Sequence, residues 1–157
     1  MVAESELNTG LLLFLPYRAL ENRIFAALAE AGFDDFTPAQ ARVMQRIGPN
    51  GTRLTELAEQ AQITKQTAGF LVDQLEKAGY VTRLPDPTDK RARLVCLAEK
   101  ASSAQRIGAA VVAEVEKEWE AHLGSRRMKQ LREALTLLRE ITDPWAEPPG
   151  SAPVGTR

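Results

Sequence analysis

Residues 64 to 93 carry the side chains best suited to a chemical task, and that task is recognition of a charged surface rather than bond-making. A helix expected over residues 65–78 sets Ala68, Leu71, Val72 and Leu75 on one apolar stripe at i, i+3, i+4 and i+7. At about 100° per residue, Phe70 falls roughly 200° from Ala68, on the opposite face. Gln66, Asp73 and Lys77 share that outer face, with Gly69 at its edge. An outward Phe has a use on a helix lying in the major groove, where an apolar side chain touches thymine methyl groups. Gln66 suits adenine there, Lys65 suits guanine or a phosphate, and Gly69 lets the backbone come close. The plain alternative is a solvated face with one stray aromatic, because single exposed apolar residues are common.

Beyond this helix stand Arg83, Lys90, Arg91 and Arg93, set against Asp86 and Asp89. Basic side chains on a hairpin tip suit the minor groove, where guanidinium groups are drawn to narrow A·T-rich stretches. Arg91 is the first choice for that insertion, and Asp89 is placed to hold the loop or brace an arginine. A mixed-charge hairpin taken alone is an ordinary solvated turn.

Other chemistries find no support. The sequence has no Ser-His-Asp set with a nucleophile elbow, no phosphate-cradling glycine loop and no metal-ligand spacing, so no catalytic residue, metal site or cofactor is expected. One cysteine, Cys96, and one histidine, His122, exclude an intrachain disulfide and a multi-histidine metal site. Cys96 reads as a packing residue, and His122 as a surface or interface residue near a helix end. Acids and bases nearly cancel, 21 against 20, so any affinity for nucleic acid must come from where the charges sit. The longest apolar run, residues 11–15, is too short to span a bilayer, and it does not read as a signal peptide. The cytoplasm is the expected location, with no membrane partner.

The elements that must hold these residues follow from periodicity and punctuation. A first helix is expected over residues 7–31, with Pro16 kinking or dividing it and Gly32 ending it. Thr37-Pro38-Ala39-Gln40 is a capping box opening a helix to about residue 47, broken by Gly48-Pro49-Asn50-Gly51. A short helix over 56–61 is capped by Thr55, a tight turn follows at Gln62 and Ile63, and Thr64 caps the helix that Gly79 closes. Two short helices joined by a tight turn form a helix-turn-helix. Two β-leaning runs, 80–84 and 91–97, then flank a fairly long tip at 85–90. Long helices are expected over 99–123 and, capped by Ser125, to about 141, with Met128, Leu131, Leu135 and Leu138 at near-heptad spacing. The Pro-, Gly- and Ser-rich remainder reads as disordered.

Several runs together resemble one family: Leu54-Thr55-Glu56-Leu57-Ala58, Thr64-Lys65-Gln66-Thr67, Leu71 through Val81, Arg83, and Asp86-Pro87-Thr88-Asp89-Lys90-Arg91-Ala92. The chain is similar to the MarR family of winged-helix regulators over about residues 7–142. The resemblance implies a dimer made by the first helix and the last two, with a recognition helix in the major groove and a wing in the minor groove. It also implies, for many members, repression relieved by a small phenolic or otherwise lipophilic ligand held between the dimerisation and DNA-binding regions. By position, Lys65, Gln66, Thr67, Gly69 and Phe70 fall on the recognition helix and Asp89 and Arg91 on the wing. Many members carry Arg where this chain has Phe70, and Pro16 interrupts a helix that is usually continuous. Oxidant-sensing members often carry a Cys in the first helix; this chain has none there, so thiol-based sensing is not expected.

The expectations are these. The fold is mainly α with a small β-hairpin wing, a winged helix-turn-helix plus a helical dimerisation region. Residues 1–35 form an N-terminal dimerisation helix, 36–98 the DNA-binding domain, 99–142 the C-terminal dimerisation helices and 143–157 a disordered tail. The function is sequence-specific binding of double-stranded DNA by a homodimer at a pseudo-palindromic operator, as a ligand-responsive repressor. Its contacts are Thr64, Lys65, Gln66, Thr67, Gly69 and Phe70 on the helix and Arg83, Asp89, Lys90, Arg91 and Arg93 on the wing. A ligand pocket is expected at Tyr17, Phe33, Phe36 and Trp119, since ligand sites are usually apolar clefts. The alternative is a winged-helix module that binds a ligand or a protein without specific DNA binding. An enzyme ranks last, for want of any activated nucleophile or acid–base pair.

Overall fold

The computed structural model describes residues 6–145, so most of the tail expected to be disordered lies outside the described residues. The described residues fall into two compact units divided after Glu116.

In the first unit, α1 (Thr9–Glu30) starts on Asn8, whose side chain accepts the Leu11 N–H at 2.8 Å. Of the kink or division expected at Pro16, the division does not occur: the helix runs unbroken through it. Proline removes a single backbone donor, and the turns on either side of it keep theirs. Thr37 and Gln40 form the expected reciprocal capping box ahead of α2 (Pro38–Met44). A two-residue strand, β1 (Thr52–Arg53), follows; it is too short to have a sequence period. The chain passes from β1 directly into α3 (Leu54–Gln60), so Thr55 lies inside the helix and is not its cap. Gln62 turns the chain at φ 57, and the Ile63 N–H bonds back to the Ala58 carbonyl at 3.0 Å.

Helix α4 (Lys65–Lys77) is capped by Thr64, whose hydroxyl accepts the Thr67 N–H at 3.1 Å. Ala68, Val72 and Leu75 are fully buried, as their stripe requires. Val72 and Leu75 join Leu57, Tyr80, Val81 and Val95 in the core, where burying a large aliphatic side chain stabilises by about 1.5–3 kcal/mol. Strands β2 (Val81–Asp86) and β3 (Asp89–Leu97) pair antiparallel, and the sheet order is β1-β3-β2. The expected hairpin is therefore part of a three-stranded sheet. Its tip is also short: only Pro87 and Thr88 separate the strands, because Pro85 and Asp86 still belong to β2. Proline is tolerated there because β2 is an edge strand, and the register shifts between Pro85 and Asp86.

Helix α5 (Glu99–Leu123) matches its expected bounds, and Ala101 and Ala104 reach the core of the first unit. In the second unit, α6 (Ser125–Thr142) is preceded by Gly124, which takes the cap position at φ 85 with no side-chain bond. Ser125 is thus the first helical residue rather than the cap, because the glycine turns the chain before it. Among the described residues no helix is long and apolar enough to cross a membrane, and no cluster of His, Cys, Asp or Glu is suited to a metal ion.

Candidate nucleic-acid interface

The first turns of α4 leave Lys65, Gln66 and Thr67 exposed, and Phe70 is 62% exposed beyond them. The buried stripe on the other side fixes this orientation, so the helix cannot rotate without bringing Gln66 and Phe70 into the core. Thr64 donates its hydroxyl proton to Thr67 Oγ1 at 2.8 Å, which leaves the Thr67 hydroxyl proton free to point outward. Packing does not require the glycine at position 69: a Cβ there would stand 3.7 Å from Leu54 of α3, an ordinary contact. Gln40 of α2 donates to Gln74 of α4 at 2.8 Å and ties the two helices together.

On the wing, Lys90, Arg91 and Arg93 are exposed. Asp89 accepts the Arg91 N–H at 3.0 Å and so holds the loop, one of the two roles expected of it. Arg83 is differently employed. Its guanidinium is clamped by Asp73 at 2.6 Å and Glu76 at 2.9 Å, both on α4, and its side chain is only 22% exposed. Grouped with the free wing cations in the sequence, it instead pins β2 to the recognition helix, through partners seven and ten residues earlier.

A second brace was not legible in the sequence. Arg53 donates through Nε at 2.8 Å and Nη2 at 2.7 Å to Asp86, a buried carboxylate 33 residues away. Asp86 also accepts the Thr88 N–H at 2.8 Å and the Thr88 hydroxyl at 2.7 Å. The Asp-Pro-Thr run is the local signal for this turn; nothing local points to Arg53. The two Thr88 bonds and then Arg53 hold the Asp86 carboxyl at about 2, against an ordinary 3.8. The lowered value fixes the sign of a pH effect. Its stabilisation is present above pH 3.8 and is lost as pH falls through 2. In urea unfolding, the deficit of Asp86→Asn relative to wild type should therefore be constant near pH 6 and shrink between pH 4 and pH 2. A deficit independent of pH would mean the bonds do not depend on the carboxylate's charge.

Away from this surface, a cavity of about 310 Å³ lies within the first unit, between α1, α2 and α5. Of the four residues expected at a ligand pocket, Tyr17 and Phe36 line this cavity; Phe33 packs against the core instead, and neither it nor Trp119 takes part. Most of the wall is aliphatic, including Leu20, Ile24, Met44 and Val112. The polar part centres on Glu21, which is buried yet accepts from Tyr17 at 2.9 Å and Arg18 at 2.5 Å, with Arg42 at 3.5 Å. Burial pushes the Glu21 carboxyl up, but the Tyr17 and Arg18 bonds and the Arg42 charge outweigh it and hold it below the usual range.

Comparison with known proteins agrees with this geometry. Residues 34–92, from the turn before α2 to the wing, match the model of the MarR family. The HTH-type transcriptional regulator FarR of Neisseria gonorrhoeae is 30% identical over 113 residues, which is 69% of this chain and 75% of FarR. The chain belongs to the MarR family. That family is one of transcription regulators. A second relative, the exopolysaccharide II synthesis transcriptional activator ExpG of Rhizobium meliloti, is 29% identical over 83 residues, 53% of this chain. The match spans only 43% of ExpG. Among solved structures, apo MarR from E. coli aligns with a TM-score of 0.64 at 23% identity, over 84% of this chain and 97% of that one. A MepR mutant from S. aureus bound to an oligodeoxyribonucleotide aligns at 0.56 and 18%, over 87% and 99%. At these identities the structures show a shared winged-helix fold.

Proposed function

We propose that this MarR-family chain acts as a homodimer that binds a pseudo-palindromic site in double-stranded DNA and releases it when a small apolar molecule fills the cavity. The observation that carries the reading is the outward set Lys65, Gln66, Thr67 and Phe70 on a helix whose other face buries Ala68, Val72 and Leu75. Lys90, Arg91 and Arg93 extend that set as minor-groove and phosphate contacts. Arg83 and Asp89 serve it indirectly, as braces. The solved MepR complex with an oligodeoxyribonucleotide supports DNA as the partner.

The dimer is supported by apolar surface that one chain leaves in water. Leu12, Phe14 and Leu15 of α1 are about half exposed, and Leu137 and Ile141 of α6 are 63% and 84% exposed. Such surface on a regulator marks a protein contact. The effector is supported by the mostly apolar cavity wall with a few polar groups, Glu21 among them, the usual make-up of a small-molecule site. Release of DNA by the effector corresponds to a ligand-responsive repressor.

The test is fluorescence anisotropy on DNA from upstream of the chain's own gene. A regulator with several phosphate contacts per subunit loses affinity roughly 1,000-fold or more between 50 and 200 mM salt. No binding at low salt, or binding indifferent to sequence, would favour the interaction-module reading. Within the same assay Gln66→Ala should relax base preference at one position of each half-site by about 1 kcal/mol, the low end for a lost base contact. A binding-site selection with the variant checks this; unchanged preference removes Gln66 from the readout.

A further inference from the structure

The aromatic part of the cavity wall is continuous with a hydrogen-bonded cluster at the far end of the recognition helix. Phe25 and Phe36 both line the cavity and pack at 5.6 Å between ring centroids. Phe36 in turn meets Tyr80 in a T-shaped pair, 5.1 Å between centroids and 76° between ring planes. Tyr80 is fully buried just past the end of α4, and its N–H bonds the Leu75 carbonyl of that helix at 2.9 Å. Its hydroxyl donates to Asp35, in the turn between α1 and α2. Lys100 of α5 stands over the ring, 4.3 Å from its centroid. The same ammonium donates to Asp35 at 2.8 Å and to the carbonyl of Ala78, the C-cap of α4, also at 2.8 Å. The Lys100 and Tyr80 bonds hold the Asp35 carboxyl below its ordinary range, so the cluster carries its charge at neutral pH. One ring therefore joins the α1–α2 turn and α5 to the last turn of the recognition helix, and it abuts the residue that an occupant of the cavity would push.

We infer that Phe36, Tyr80, Asp35 and Lys100 form the relay through which an occupant of the cavity loosens the recognition helix from DNA. The inference rests on the effector reading above and adds the residues that carry it. A close-packed aromatic pair does not compress gradually. Displacing Phe36 either shifts Tyr80 or strains its bond to Asp35, and both reach the Ala78 carbonyl through Lys100. These four are positioning residues; none touches DNA.

The probe is 1-anilinonaphthalene-8-sulfonate, an apolar anion whose fluorescence reports its own binding. DNA affinity of the full chain is measured with none and with saturating probe, and the ratio of the two is the readout. A coupled wild type gives a ratio of roughly 5 or more. Tyr80→Phe deletes only the hydroxyl, and Asp35→Asn keeps the shape without the charge. Both should bring the ratio to within about 2-fold of one while still binding the probe. A merely structural role would lower DNA affinity equally at both probe levels and leave the ratio at the wild-type value, which overturns the relay. A wild type that binds DNA and probe independently overturns the effector reading, and the relay falls with it. Ala109→Trp, which fills the cavity from α5, should abolish the probe's effect on DNA; an effect that survives overturns the cavity as its source.

Discussion

Arg91→Ala should lower the affinity of the proposed dimer for its DNA site by roughly 30- to 1,000-fold and leave the stability of the fold unchanged. Two facts set this size. The Arg91 side chain is exposed near the start of β3, and its backbone, not its guanidinium, is what Asp89 holds. Removing the side chain therefore costs the fold nothing. A charge-assisted hydrogen bond is worth about 1.5–3 kcal/mol when desolvated; for a solvated arginine about 1–2 kcal/mol per wing remains, and a dimer has two wings. The salt dependence should shift as well. Each lost phosphate contact removes about 0.9 from the slope of log K against log salt, so the dimer loses about 1.8 if Arg91 meets a phosphate. Arg83→Ala gives the contrasting pattern. Its guanidinium joins β2 to Asp73 and Glu76 of α4, so its loss should disturb wing placement with less change in the salt slope. Anisotropy titrations at several salt concentrations, beside urea unfolding of each variant, separate the two roles. An Arg91 variant that binds like wild type would remove the wing from the interface.

Gly51→Ala is the single methyl group expected to do most damage. Gly51 sits at φ 87, in the left-handed region, where an L-residue costs roughly 1–2 kcal/mol. A Cβ there would stand 2.6 Å from Cys96 Sγ, 2.9 Å from Leu94 Cβ and 3.3 Å from the Val95 carbonyl oxygen. Two of these three belong to or adjoin the backbone of β3, so relief requires the strand to move, at about 1–3 kcal/mol. The sum is roughly 2–5 kcal/mol, or about 5–15 °C of melting temperature for a chain of this size. The damage reaches the wing, because Thr52 and Arg53 follow immediately: they pair with Val95 and Leu94, and Arg53 holds Asp86. Gly32 supplies the control. It has nearly the same backbone angle, 88°, with nothing within 4 Å of the added Cβ, so Gly32→Ala should show the backbone cost alone. Calorimetry on both variants checks the difference. Cys96→Ala in the Gly51→Ala background should recover part of the loss, since it removes the nearest of the three contacts.

These two sites mark where sequence reading succeeds and where it stops. Thr37, Thr64 and Gly79 are legible because a cap acts on its own neighbours within three residues. Phe70 is legible as an outward residue because the period of one helix fixes its direction relative to Ala68 and Leu75. Signals fail when partners are distant in the chain. Arg53 and Asp86 are 33 residues apart, and Lys100 lies 65 residues from Asp35. Glu21 reads as an ordinary surface charge on α1 until Tyr17, Arg18 and Arg42 are seen around it. Strand β1 escapes because two residues have no period, and it exists only through its pairing with β3. Arg83 shows the converse. A basic residue near a wing looks like a DNA contact, and only the geometry reveals the two carboxylates that occupy it.

Hydroxyl-radical footprinting of the DNA upstream of the gene, paired with sedimentation of the complex, tests the regulator reading most directly. Two chains per duplex should protect two patches whose centres lie about one helical turn apart on one face, with added protection in the flanking minor grooves. One chain per duplex with a single patch, or uniform weak protection along the fragment, would contradict it.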